Sequence, residues 1–257
     1  MDRLSFIPIE GLPEVRKGAN LPEMILRAAG ASGFEPGDIL VVTHKVVSKA
    51  AGLVVDPGEV IPGETAEKIS EASGKDPAAV QVILDESENA YFEQGLLISE
   101  RDDGWYCCNA GVDMSNSGSA GRLILLPHDC DSRAESISRA ISSSAGFHVP
   151  VIICDTHGRA LRSAAVGVAA GIYGMAPVRT YIGKDDRDGR TMLSTVEATA
   201  DEIAGAATLL MGQGDEGIPA VIVRGLKYEL SFSGGSSPLK LAKKKMLYSI
   251  KEKSRVK

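Results

Sequence analysis

The chain has 257 residues, 44% hydrophobic and 24% charged, with a mean hydropathy of 0.00, enough to bury the core of one large domain or two small ones. A formal net charge of -6 and a pI of about 5.4 exclude the basic surface of a general nucleic-acid binder, though not an anionic nucleotide held in a local positive pocket. No segment reaches the roughly 18 apolar residues that span a membrane. Asp2 and Pro8 interrupt the first residues where a leader would be apolar, so a cytoplasmic location is expected.

Taken in chain order, short runs rich in Val and Ile predict strands at Leu4-Ile9, Asp38-Thr43, Leu96-Ser99, Arg122-Leu126, Val149-Cys154 and Ala220-Arg224. Asp76-Pro77 offers an N-cap with proline at the first helical position, and Ser132-x-x-Glu135 and Ser194-x-x-Glu197 have the spacing of capping boxes. Helices are therefore expected near 77–87, 133–145 and 196–211. Strands and helices do not alternate strictly, which favours an α+β fold with mixed or antiparallel sheets over a doubly wound parallel one. The stretch Ser115-Gly121 and the loop Gly183-Arg190 break the pattern. The C-terminal lysines, from Lys240 through Lys243, Lys244, Lys245, Lys251 and Lys253 to Lys257, suit a solvated helix face or frayed tail.

Cys107, Cys108, Cys130 and Cys154 lack C-x-x-C spacing and are expected to be buried, reduced thiols. His128 and His148 flank the helix at 133–145 and suit surface or turn positions.

Four segments carry side chains suited to chemistry. In Val151-Ile152-Ile153-Cys154-Asp155-Thr156-His157-Gly158-Arg159 a carboxylate and a hydroxyl follow an apolar run, as oxygen ligands of a hard cation would at a strand end. An ordinary strand followed by an Asx-type turn explains the same letters. Asn109-Ala110-Gly111-Val112-Asp113-Met114-Ser115-Asn116 adds a second acid in a turn-rich context. Lys45 and Lys49 are four residues apart after the strand Asp38-Val42, so on a helix they share a face that suits phosphate or simply water. Met211-Gly212-Gln213-Gly214-Asp215-Glu216-Gly217 contains G-x-G-x-x-G, but a helix precedes it and a strand follows, the reverse of the dinucleotide-binding order. There is no P-loop, G-x-S-x-G or H-E-x-x-H motif, so any triphosphate is held by other means.

From Gly11 to about Gly225 these motifs, in this order, resemble the coenzyme F-420-0:L-glutamate ligase family. The matching pieces include Gly11-Leu12-Pro13-Glu14-Val15, Val46-Val47-Ser48-Lys49-Ala50, Asp155-Thr156-His157-Gly158-Arg159, Ala200-Asp201-Glu202-Ile203-Ala204 and Gly217-Ile218-Pro219. The resemblance implies GTP-driven transfer of L-glutamate onto coenzyme F-420-0, then F-420-1, through an acyl phosphate. It implies that Asp113, Asp155, Thr156 and Gln213 hold Mg²⁺ or Mn²⁺, with K⁺ as an optional further cofactor. Leu12, Pro13, Glu14, Val15, His44, Lys45, Lys49, Asn116, Met211, Gly212, Gln213 and Gly214 would contact GTP.

Asp155, Arg159 and Lys49 are the expected catalytic residues, with Arg159 and Arg162 clamping a substrate carboxylate or phosphate. The family further implies one ligase unit over residues 1–257, built of two subdomains in an intertwined homodimer. Two departures stand out: His157 replaces the family's usual aromatic, and Ala164 replaces its usual glycine. A metal-dependent nucleotide or acyl-phosphate hydrolase, or a GTP-dependent amide ligase for another acid, would use the same groups.

Overall fold

The computed structural model describes residues 3–30, 33–118, 121–159, 162–240 and 254–257, apart from the side chains of Arg159 and Arg162. The lysines at 243–253 lie outside the described residues.

Strand β1 (Ser5–Pro8) leads to helix α1 (Leu21–Ala29), where Asn20 accepts from the Glu23 amide and Leu21, Ile25 and Ala29 bury one face. Strand β2 (Ile39–Thr43) runs straight into α2 (His44–Ala51), then β3 (Val54–Val55), α3 (Glu64–Ser73) and α4 (Pro77–Asp85). Asp76 caps α4 by accepting from the Ala79 amide at 2.9 Å, as the sequence predicts. An antiparallel meander follows: β4 (Asn89–Glu93), β5 (Leu96–Glu100) and β6 (Tyr106–Cys108). Next come β7 (Leu123–Ile124), α5 (Cys130–Ala145), β8 (Val151–Arg159), β9 (Arg162–Tyr173), β10 (Arg179–Thr180), β11 (Val196–Glu197), α6 (Thr199–Met211) and β12 (Ala220–Arg224).

The fold is α+β. Its main sheet has the order β1-β12-β2-β8-β9, parallel only between β2 and β8. Helices α1, α2 and α5 cover one face and α6 the other, so the central strands are apolar on both sides. The second core lies among α3, α4 and the β4–β6 meander.

Four local expectations are corrected. Helix α5 begins at Cys130, so Ser132 and Glu135 lie inside it rather than at its cap. Helix α6 begins at Thr199, because Val196 and Glu197 pair with β10 as strand. Strand β8 continues through Asp155 to Arg159, held by β9, so Asp155 sits within a strand and not in a turn. Cys108 is exposed, whereas Cys107, Cys130 and Cys154 are buried free thiols pushed up to about 12 by burial.

The β8–β9 hairpin carries two irregularities. Beside the site, Ile153 faces Gly171 and Cys154 faces Ala169, leaving Ala170 as an extra residue in β9. The bulge brings Gly171 against α5, where a Cβ would lie about 2.4 Å from the Cys130 backbone, so only glycine fits without a shift. Nearer the hairpin tip, Ala164 adopts a φ of 67°. That conformation is the left-handed region, which favours glycine over a residue with a Cβ. We expect Ala164→Gly to raise stability by about 0.5–1 kcal/mol, the Cβ strain relieved less the extra unfolded-state entropy. Urea denaturation measures this, and a loss of stability would show that the hairpin does not strain Ala164.

Candidate active site

A cavity of about 670 Å³, within the range of small-molecule sites, opens where β2, β8 and β12 meet the loops before α1 and after α6. Leu12, Pro13, Glu14, Val15, Lys45, Lys49, Asn116, Asp155, Thr156, Met211, Gly212, Gln213 and Gly214 all line it. Thr43, Met114, Ser117 and Asp215 line it too and were not singled out from the sequence, since nothing in their spacing marks them.

Each wall has a local cause. The junction of β2 and α2 turns the first turn of α2 toward the cavity, with Lys45 in that turn, no acid, and no side-chain cap on its amides. Lys49 follows one turn later and bonds Glu14 Oε1 at 2.6 Å. Lys45 Nζ lies 2.9 Å from Asp113 Oδ2 and donates to Ser115 Oγ at 2.6 Å. Burial would raise the Asp113 carboxyl, but the bonds from Lys45 and the Ser115 amide outweigh it and hold it below its ordinary value. Asn116 donates from Nδ2 to the Gly214 carbonyl at 3.0 Å, tying two loops that are 98 residues apart. In the second loop Glu216 folds back onto the Gly214 amide at 2.8 Å and fills the space beside Gly212, whose φ is 67°.

Asp155 is the most enclosed acid of the cavity, 9% exposed. Its Oδ1 accepts from the Thr156 amide at 2.7 Å and its Oδ2 lies 3.1 Å from His157 Nε2. His44, fully buried, does not line the cavity; its Nε2 is 3.3 Å from Asp155 Oδ1, off the line of a good hydrogen bond. His44 Nδ1 has no partner among the described residues. Burial alone would raise the Asp155 carboxyl, yet the two imidazoles hold it well below the usual carboxylate range. Trp105, from the turn before β6, meets the His157 ring edge-on at 5.4 Å. His157 thus occupies an aromatic's packing position while also bonding the acid.

The backbones of Arg159 and Arg162 pair at the far end of the hairpin, and their side chains lie outside the described residues. His128 is exposed between Asp102 at 2.5 Å and Glu86 at 2.9 Å, away from the cavity. His148 is half-buried and meets Tyr173 and Phe232.

The fold and cavity define an α+β protein whose small-molecule site sets a buried acid and a hydroxyl against two lysines of one helix. Residues 11–225 match the profile of the family described as F420-0:Gamma-glutamyl ligase, and the chain belongs to that family. It is similar to Coenzyme F420:L-glutamate ligase of Methanothermobacter thermautotrophicus, 42% identical over 92% of this chain and 95% of that protein. The proteins of the same name from Archaeoglobus fulgidus and Methanocaldococcus jannaschii are 44% and 40% identical, over 87% and 80% of this chain and 88% and 81% of their own lengths.

Proposed function

We propose that this protein is a GTP-dependent ligase that joins L-glutamate to coenzyme F-420-0, and then to F-420-1, in amide linkage. The observation that carries this reading is the gathering of Asp155, Thr156, Gln213, Asn116, Lys45 and Lys49 around one cavity in a chain of this family.

The first glutamate joins through its amine to the terminal carboxylate of the lactyl-phosphate side chain, and the second to the γ-carboxylate of the first. A carboxylate is a poor acyl donor because its leaving group would be oxide. One carboxylate oxygen therefore attacks the γ-phosphorus of GTP and GDP departs, leaving an acyl phosphate. The glutamate amine attacks the acyl carbon, inorganic phosphate leaves, and the amine gives up its proton.

The open first turn of α2 offers amide hydrogens to phosphate, and Lys45 and Lys49 add positive charge once phosphate oxygens take them from Asp113 and Glu14. Asn116 and the loop at Gly212–Gly214 border the nucleotide, as do Leu12–Val15 and Met211. His44 opens α2, so its backbone would meet GTP within that first turn while its buried imidazole turns the Asp155 carboxylate from behind.

Asp113, Asp155, Thr156 and Gln213 would hold magnesium or manganese, and K⁺ would be an optional further ion. Their donors are all oxygens, as a hard cation requires, and buried Asp155 stays ionised. Among the described residues no three acidic, histidine or cysteine side chains are arranged to hold a metal ion by themselves, so phosphate and water oxygens would complete the shell. Bound there, the cation supplies charge that offsets the triphosphate.

The reading includes a cytoplasmic homodimer, with Leu193 and Leu209, 83% and 84% exposed, as apolar surface for a second copy. No helix among the described residues is long and apolar enough to cross a membrane.

An isotope experiment tests the mechanism. With ¹⁸O in the terminal carboxylate of F-420-0, one label should appear in the inorganic phosphate released with GDP, and ATP should not replace GTP. Unlabelled phosphate would rule out the acyl phosphate, and equal turnover with ATP would rule out GTP dependence.

A further inference from the structure

The segment Ala200-Asp201-Glu202-Ile203-Ala204 belongs to the resemblance, yet none of its residues lines the cavity. Asp201, in the first turn of α6, accepts from the Ala169 amide through Oδ1 at 2.9 Å. Ala169 is the residue at which β9 rejoins β8 after the bulge, opposite Cys154 and one pair before Asp155 and Val168. On the other side of the bulge, Asp131 of α5 accepts from the Ile172 amide at 2.8 Å. The two carboxylates thus hold the backbone on both sides of the extra residue Ala170.

Helix α6 also lies directly against the next part of the hairpin. A Cβ on Gly167, the partner of Thr156, would come within 2.5–2.8 Å of Thr208 and the Ala204 carbonyl. A β-bulge bends and twists its strand and so re-aims the side chains beside it. Here those side chains are Asp155 and Thr156, and a shift of the bulge would move both together.

We infer that Asp201 is a positioning residue: by bonding the Ala169 amide it fixes the bulge that aims Asp155 and Thr156 into the cavity. This rests on the proposed cation site, and it adds to that site a residue that touches neither cation nor substrate. The half-buried Asp201 carboxyl is raised by desolvation, opposed by the Ala169 amide and by the charge of nearby His157, which agrees with its place just behind the site.

The test is Mn²⁺ titration of the purified protein, followed by electron paramagnetic resonance, with amide exchange of the same samples. Asp201→Asn keeps an acceptor oxygen and should bind Mn²⁺ within about twofold of the wild type. Asp201→Ala should bind it about 10-fold to 100-fold more weakly, with faster exchange over residues 153–157 and 166–171 and none in β1 or β12. Should the alanine variant fail to fold, Asp201→Ser, too short to reach the amide, takes its place. Wild-type affinity in the alanine or serine variant, or equal damage in the asparagine variant, overturns the inference.

Asp155→Asn tests the cation site separately: unchanged Mn²⁺ binding there, or none in the wild type, removes the site itself. Asp201 is then judged on exchange alone, and unchanged exchange over 153–157 in Asp201→Ala overturns its role.

Discussion

Asp155→Asn should reduce formation of the glutamyl product by at least about 10²-fold while leaving the fold intact. The substitution is nearly isosteric, so it preserves an oxygen to accept from the Thr156 amide and removes only the charge. That charge is the property the surroundings protect, since Asp155 stays ionised although it is almost enclosed. His44 and His157 both face it, and no lysine or arginine pairs with it among the described residues. Product assays with matched circular dichroism spectra measure the effect. Activity within threefold of the wild type would mean that the buried carboxylate is structural.

The largest loss of stability is expected from Arg101→Met. Arg101 is fully buried, and its guanidinium donates to the Ala110 carbonyl at 2.9 Å and the Leu126 carbonyl at 3.1 Å. It also lies 3.3 Å from Asp103 and 3.9 Å from Glu86. Removing it leaves two carbonyls and two partly buried carboxylates without their shared donor, which costs about 3–5 kcal/mol in comparable buried pairs. Arg101 joins the β4–β6 meander to the segment between β7 and α5, so the loss should appear as cooperative unfolding at lower urea. Thermal unfolding should come roughly 10 °C earlier. A loss under about 1 kcal/mol would show that water replaces the guanidinium at little cost.

The apolar strands were legible because β2, β8 and β12 are buried on both faces and read as unbroken Val and Ile runs. Strand β9 was not legible: Ala164 to Gly171 is rich in alanine and glycine, and close contact with α5 and α6 selects those small residues over good strand formers. The capping boxes misled because spacing alone cannot tell a helix start from its first turn, as at Ser132, or from a short strand, as at Val196.

At the site, the lysine pair was readable from helical spacing. The convergence of Asp155, Asn116 and Gln213 was not, because those residues are far apart in the chain and meet only through strand pairing and one loop-to-loop bond. Their grouping came from the resemblance. His44 too was named through the resemblance; its side chain lies buried against Asp155, and its backbone opens α2, whose first turn borders the cavity.

The most direct measurement is mass spectrometry of coenzyme F-420-0 incubated with the purified protein, L-glutamate, GTP and Mg²⁺ or Mn²⁺, alongside a reaction without glutamate. We expect a product heavier by one glutamyl unit and then two, with one GDP released for each unit added and no product when glutamate is omitted. GDP release without any glutamyl product would contradict ligation to this acceptor and make the protein a hydrolase or a ligase for another acid.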